Sequence, residues 1–328
     1  MKKKTKIITI SIVSFIVLGL ASFCGGVILN GTCFASYKET KTLNNWMKYI
    51  SDDKKLIDLV IPGSHDSGTI GMNWLGNTQN YSIKEQLDSG ARYFDIRVNK
   101  ESEDKYVIFH GPINGVEFKP ILDDIKDFIV ANPSETIILD FQHFKNDSME
   151  DVKNMIDITL NRNNLLLTKD TNVNELEYVS NLKLKDTRGK CIAYFPEDSG
   201  YSNNLNYIFS RGEGASKNVS LNSYYESSLN KLDSTKFISE GLPTYLDDAK
   251  RHLKDTGYKG LFVLQSQLTD GMFIFGPYAK EKGHDNNLSN YIDSLRTSSD
   301  LEYINIIMRD FVSVAKSEQI IALNTYKI

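Results

Sequence analysis

The chain has 328 residues, 41% hydrophobic and 24% charged, which suits one large globular domain or two small ones. Its net charge of −4, from 38 basic and 42 acidic residues, removes any global electrostatic reason to bind nucleic acid. Contact with an anionic membrane would have to rest on local aromatic or apolar loops, not on bulk charge.

The first element in chain order is an export segment. A basic stretch, Lys2-Lys-Lys-Thr-Lys6, precedes about 23 almost wholly apolar residues at 7–29, enough to span a bilayer. Residues 1–35 therefore read as a signal peptide cleaved after Cys33-Phe34-Ala35, or as a retained signal anchor. Either way the chain is expected to be secreted or held at the extracellular surface. Cys24 and Cys33 belong to this segment, so Cys191 is alone in the remainder and no internal disulfide is expected there. The cysteines have no zinc-ligand spacing. Residues 36–44 read as a linker and 45–328 as one domain.

Within that domain, short β-branched and apolar runs predict strands at 56–61, 92–98, 136–141, 190–195, 218–224, 260–265 and 304–311. Amphipathic segments between them predict helices at 83–89, 118–131, 149–161, 244–255 and 288–297. Alternating strands and helices argue for an α/β protein with a parallel sheet. Continuously apolar strands such as Thr136-Ile-Ile-Leu-Asp140 suit burial on both faces. Seven or eight such units predict a closed (β/α) barrel. A doubly wound open sheet is the alternative, but no glycine-rich phosphate loop follows the first strand. Residues 106–110 follow Val98 too closely for a parallel crossover and predict the return arm of an antiparallel hairpin, so the barrel should be irregular.

Active sites of such barrels lie at the C-terminal ends of the strands. There the sequence places Pro62-Gly-Ser-His-Asp66, Asp95-Ile-Arg97, His110-Gly-Pro112 and Arg309-Asp310. Two imidazoles, an arginine and several carboxylates would gather at one rim. That set can cleave a phosphodiester without a metal: one histidine removes a proton, the other supplies one, arginine stabilises the charged oxygens, and a carboxylate fixes a tautomer. Taken singly, a His-Asp pair can be a loop hydrogen bond, Asp-x-Arg a structural ion pair and His-Gly a turn. Their combination at successive strand ends favours chemistry. His143, His252 and His284 lack such company; His252 and His284 are expected to be exposed, and His143 to be ordinary packing.

Four segments carry a family resemblance: Ile61-Pro-Gly-Ser-His-Asp-Ser-Gly-Thr69, Gly90-Ala-Arg-Tyr-Phe-Asp-Ile-Arg97, Phe109-His-Gly-Pro112 and Asn132-Pro-Ser-Glu-Thr-Ile-Ile-Leu139. With Tyr303-Ile-Asn-Ile-Ile-Met-Arg-Asp-Phe311 they resemble the X region of bacterial phosphatidylinositol-specific phospholipase C, over about residues 45–320. The resemblance implies a distorted, irregular (β/α)8 TIM-type barrel. It implies His65 as general base on the inositol 2-hydroxyl, oriented by Asp310. His110 would be the general acid, assisted by Asp66. Arg97 would bind phosphate, placed by Asp95. The products would be diacylglycerol and a cyclic inositol phosphate, from a phosphatidylinositol-type membrane lipid or a glycosylated inositol anchor. In calcium-dependent relatives this strand carries two acids at alternate positions. Here the second is Arg97, on the face a cation would use. No metal and no other cofactor is therefore expected, and the chain is expected to act as a monomer.

The expected sugar-binding set is thinner. Gln142 stands where the bacterial enzymes carry an inositol-contacting lysine, and Phe195-Pro196 where an arginine is expected, with Arg211 a candidate replacement. An Asp-x-Tyr pair becomes Ser223-Tyr-Tyr225, keeping Tyr225 only. Trp74 and Leu75, and a second apolar cluster containing Phe273 and Phe275, are candidate membrane contacts, against the alternative that both clusters are core. Tyr201, Tyr207, Tyr224 and Tyr225 are candidates for cation–π contact with a choline lipid. Two other functions compete: another phosphodiesterase of the superfamily, such as a glycerophosphodiesterase, and a non-catalytic lipid-binding module.

Overall fold

The structure is a computed structural model that describes residues 42–196, 205–212, 219–269 and 276–327. The expected export segment, most of the expected linker, Tyr201, Phe273 and Phe275 lie outside the described residues. Eight parallel strands close on themselves: β1 (Ile61–Ser64), β2 (Tyr93–Ser102), β5 (Thr136–Lys145), β6 (Lys190–Pro196), β7 (Ile208–Gly212), β8 (Leu221–Asn222), β9 (Leu261–Gln265) and β10 (Ile306–Arg309). Each pairs with its neighbour in chain order, and β1 pairs with both β10 and β2, which seals the ring. β3 (Lys105–His110) and β4 (Ile113–Glu117) extend β2 as an antiparallel ribbon, so the expected return arm is present as β3 and carries His110 at its end, at the turn into β4.

Side-chain alternation sorts the strand residues into two environments. Phe94, Ile96, Val98, Ile137, Leu139 and Phe141 face outward and pack with helices α1 (Ile83–Asp88), α2 (Phe118–Ala131) and α3 (Ser148–Thr159). Tyr93, Ile138, Ile192, Tyr194, Phe209, Val263, Ile306 and Met308 belong to a second buried cluster, inside the ring. On the other side, α4 (Leu242–Thr256) and α5 (Gly276–Ser294) cover β9 and β10 through Phe262, Leu264, Ile307, Leu246 and Leu288. Strand backbones approach closely at β1. A Cβ on Gly63 would meet Ile306 Cγ2 at 2.9 Å and the Met308 backbone at 3.2 Å, so this position excludes any larger residue.

Several expected elements move. β1 begins at Ile61, because Leu56–Asp58 forms a 3-10 turn, and this brings His65 directly to the strand end. β8 shrinks to two residues, and β10 spans only Ile306–Arg309. β4, β7 and α6 (Val314–Ala322) were not expected. β4 is mostly exposed and contains Asn114-Gly115, so it lacks a strand's hydrophobic signal; β7 is only five residues long. α5 begins twelve residues before the predicted start, since its first turns are polar. Among the described residues no helix separates β6, β7 and β8, which is where the barrel departs most from regular alternation. Cys191 is buried and unpaired by disulfide.

The bottom of the barrel explains two of the sequence motifs. Arg92 and Glu135 are both fully buried and paired at 2.9 Å, each just ahead of its strand. Arg92 also donates to the Leu87, Ala91 and Leu43 carbonyls and stacks over Phe128, so its guanidinium is saturated. Gly90-Ala-Arg92 and Asn132-Pro-Ser-Glu135 are thus joints of the fold, far from the chemistry. Glu135→Ala would strand a buried guanidinium. It is expected to cost about 3–5 kcal/mol in urea unfolding, while the properties of the opposite rim stay unchanged in the folded fraction.

Candidate active site

Alternation makes the interior apolar below and polar above. Continuing the inward series upward from Tyr93, Ile138, Val263 and Met308 gives Asp95 and Arg97, Asp140 and Gln142, Gln265, and Asp310. β1 adds His65 and Asp66 at its end, and the β3–β4 hairpin lowers His110 over the same rim.

Asp66 is the hub. Its Oδ2 lies 3.2 Å from His65 Nε2 and 3.5 Å from His110 Nε2, while its Oδ1 lies 2.8 Å from Arg97 Nε. Arg97 reaches Asp95 Oδ2 at 2.8 Å with its other arm, and the Asp66 amide donates to that same oxygen at 3.1 Å. His65 Nδ1 is 2.7 Å from Asp310 Oδ1. His110 Nδ1 is 2.9 Å from the Gly76 carbonyl, which can only accept, so this nitrogen carries a hydrogen. Both rings are therefore anchored through Nδ1 and present Nε2 to one space. His65, Asp66, Asp95, Arg97, His110 and Asp310 are all brought together.

The electrostatics follow from burial and partners. Burial alone would lower the proton affinity of His65. The Asp66 and Asp310 carboxylates outweigh burial and a smaller opposing effect of Arg97, and raise its pKa to about 9. Burial pushes the Asp66 carboxyl up, but Arg97, then His65 and His110, hold it well below the usual carboxylate range. Burial raises Asp310, opposed by His65. His65, Asp66 and Asp95 present ligand atoms within 4.8 Å of one another, a set able to hold a cation. The Arg97 guanidinium already bridges two of its three members.

The pocket continues past this cluster along Gln142, His143, Tyr225, Gln265 and Thr269. Gln142 spends both amide hydrogens on Tyr93 Oη and Asp140 Oδ2, at 3.1 and 3.0 Å. Arg211 does not line this pocket; it is buried beneath, paired with Asp140 at 2.8 Å. Tyr225 lies 3.4 Å from Thr269 through their hydroxyls. Tyr224 instead packs edge-on against Tyr245, and Tyr207 belongs to the outer core, so no tyrosine cage forms among the described residues. An apolar cleft opens on the other side of His65, His110 and Asp310, lined by Leu75, Leu268 and Pro277. Trp74 is half-buried against Gly276, at the start of α5.

Three histidine readings change. His252 and His284 are buried, not exposed; His284 bridges Ser234 Oγ and the Ser266 carbonyl at 2.8 and 2.9 Å. His143 is exposed and lines the pocket instead of packing. Strict alternation would aim it outward, but the β2–β5 register shifts between Ile96 and Arg97, pairing Ile96 with Phe141 and Arg97 with His143. This bulge lets consecutive residues Gln142 and His143 share one wall. A register shift leaves no mark in a hydrophobic pattern.

Fold and rim together define a (β/α)8 barrel with a paired-histidine, arginine-centred site. Residues 53–193 match the family described as phosphatidylinositol-specific phospholipase C, X domain. The chain is 34% identical over 123 residues to a 1-phosphatidylinositol phosphodiesterase of Staphylococcus aureus, covering 34% of this chain and 37% of that protein. It is 34% identical over 119 residues to the protein of the same name from Listeria monocytogenes, covering 34% and 36%. The matched segments thus span little more than a third of these relatives' length. The solved structure of phosphatidylinositol-specific phospholipase C from Listeria monocytogenes superposes with a TM-score of 0.64 at 21% identity, covering 86% of this chain and 98% of that one. The likeness to the phosphatidylinositol-specific phospholipase C X domain thus lies in residues 53–193, and the barrel as a whole shares the fold of that solved structure.

The raised proton affinity of His65 bears on the expectation that this ring serves as a general base. A base must be neutral, and a pKa of about 9 leaves on the order of one per cent of the rings neutral at pH 7. The acid limb of kcat/KM is expected well above pH 6.5, with activity rising toward pH 9. Asp310→Asn removes one of the two carboxylates that raise it and should move the limb downward. A limb that stays in place in that variant would show that Asp310 does not set it.

Proposed function

We propose that the protein is a phosphatidylinositol-specific phospholipase C that cleaves its lipid to diacylglycerol and inositol 1,2-cyclic phosphate by metal-independent acid–base catalysis. One observation carries the reading: His65 and His110 hold their Nε2 atoms toward one oxygen of Asp66, beside the Arg97 guanidinium. His65 Nε2 takes the proton of the inositol 2-hydroxyl. The freed oxygen bonds to phosphorus, and the bond from phosphorus to the glycerol oxygen breaks. His110 Nε2–H gives its proton to that leaving oxygen. Arg97, permanently charged, stabilises the non-bridging oxygens, and its bridging of Asp66 and Asp95 supports a site that works without a cation.

The remaining features fit the same reading. Gln142 and Tyr225 would bound the sugar with neutral groups, which leaves room for a headgroup pose unlike that of the lysine-bearing enzymes. Trp74 and Leu75 flank the apolar cleft beside the histidines, and with Phe273 and Phe275 would bring the rim to the membrane interface. Glycosylphosphatidylinositol anchors are a further candidate substrate. The chain would act as a monomer outside the cell, secreted or anchored by residues 1–35.

The test is hydrolysis of phosphatidylinositol vesicles by the full chain in excess EDTA, with phosphorus NMR of the soluble product. A cyclic inositol phosphate is expected. Turnover only with added calcium would overturn the role of Arg97. Absence of turnover in both conditions would turn attention to other phosphodiester lipids, and then to a binding-only role. His65→Ala and His110→Ala should each lower kcat by about 10²–10⁴-fold. Full activity in either variant would remove that residue from the mechanism.

A further inference from the structure

Two residues next to the His65–Asp310 pair hold backbone conformations that side chains disfavour. Asp66, directly after His65, has φ 42°, and Phe311, directly after Asp310, has φ 50°. Neither is glycine, so something outside them must hold these turns. The segment 77–79, between β1 and α1, does so. The Phe311 amide donates to the Thr78 carbonyl at 2.8 Å. Thr78 Oγ1 lies 3.2 Å from both the His65 and Asp66 carbonyls and 2.6 Å from Thr69 Oγ1.

Gln79 is the centre of this buckle. It is fully buried. Its Nε2 donates to the His65 carbonyl at 2.9 Å and to the Arg309 carbonyl at 3.1 Å, and its Oε1 accepts from the Val312 amide at 3.0 Å. Two partners can only accept and one can only donate, so the amide has one orientation. One side chain therefore ties the residue that carries the imidazole to both flanks of the residue that carries its carboxylate. The His65 amide, donating to the same Arg309 carbonyl at 3.1 Å, sets the distance between the two loops, and Gln79 sets their relative rotation.

We infer that Gln79 is a positioning residue that holds the His65–Asp310 pair in register by stitching the loop after β1 to the loop after β10. It touches no reacting atom. Removing it leaves the Val312 amide without its acceptor and takes one of two hydrogen bonds from each of the His65 and Arg309 carbonyls, so the side-chain link between the two loops is lost. The His65 ring and the Asp310 carboxylate then separate, and the neutral and charged forms of the ring are no longer held apart in energy by the same contact. This inference rests on reading His65 as the base and Asp310 as its orienting carboxylate.

The test follows the histidine rings themselves by 13C- and 15N-resolved NMR titration of the full chain, which requires no substrate. Gln79→Met keeps the volume and removes all three hydrogen bonds. Its His65 resonance is expected to titrate at lower pH than in the wild type, with a tenfold or greater loss of proton affinity. With phosphatidylinositol vesicles, kcat should fall about 100-fold while KM changes by less than about threefold. Thr78→Val, which removes only the hydroxyl, should shift the ring in the same direction by less, and it carries the test if Gln79→Met does not fold. Glu135→Gln at the opposite end of the barrel is the reference for general destabilisation and should leave the His65 titration where it is. An unmoved His65 titration in folded Gln79→Met, or in Thr78→Val if that is the folded variant, overturns the inference. Loss of phosphatidylinositol turnover by the wild type would fail the proposed function alone, since the ring titration still decides the role of Gln79.

Discussion

The Asp66 carboxylate is the constraint on which the site depends. It is almost completely buried, and a lone buried charge of this kind would neutralise itself or be excluded. It stays ionised because Arg97 and the two imidazoles surround it. The dependence runs both ways, since the same carboxylate gives each imidazole a common direction for Nε2. Arg97 adds a second link to Asp95, so β2 and the loop after β1 form one electrostatic unit. One carboxylate thus organises three side chains, the two imidazoles through Oδ2 and the guanidinium through Oδ1.

The barrel makes this arrangement affordable by separating stability from chemistry along its axis. Below, Arg92 and Glu135 close a buried joint, and the interior is filled by Tyr93, Ile138, Tyr194, Phe209 and Met308. Above, the same inward faces end in Asp95, Arg97, Asp140, Gln142 and Asp310. The left-handed turns at Asp66 and Phe311 sit only at this upper end, beside the buckle of Thr78 and Gln79. These two strained turns and the buried carboxylates of Asp66, Asp95 and Asp310 thus lie where a rigid ring of strands supports them.

Beyond the histidine–arginine cluster, the pocket wall is polar yet sparing in fixed charge. Gln142, Tyr225, Gln265 and Thr269 offer amides and hydroxyls, and the Arg211 guanidinium is turned down onto Asp140. Gln142 has committed its hydrogens to Tyr93 and Asp140, so what it can present to a ligand is an acceptor. Such a wall suits hydroxyl donors better than anions. The apolar cleft on the opposite side, with Leu75, Leu268 and Pro277, gives the site two chemically distinct flanks.

Much of this was readable from residue order alone. Apolar runs such as Thr136-Ile-Ile-Leu139 suit burial on both faces, and their alternation with amphipathic helices argues for a parallel sheet, with closure favoured over a doubly wound open sheet. His65, Asp66, Asp95, Arg97, His110 and Asp310 could be placed at one rim because each follows or ends a strand, and a parallel barrel brings those ends together. Alternation, a period of two residues, also put Asp95 and Arg97 on one face. What stayed hidden depends on contacts between segments distant in sequence. The bulge at Gln142 that turns His143 into the pocket arises from a register between β2 and β5. The burial of His252 and His284 comes from helix packing against β9 and β10. The start of β1 at Ile61 is set by its ladder with β10, and the role of Gln79 exists only once residues 65, 309 and 312 meet. Local periodicity determines which face a residue takes, whereas register, burial of lone polar groups and the stitching of loops are decided by tertiary structure, because their partners lie up to more than two hundred residues away.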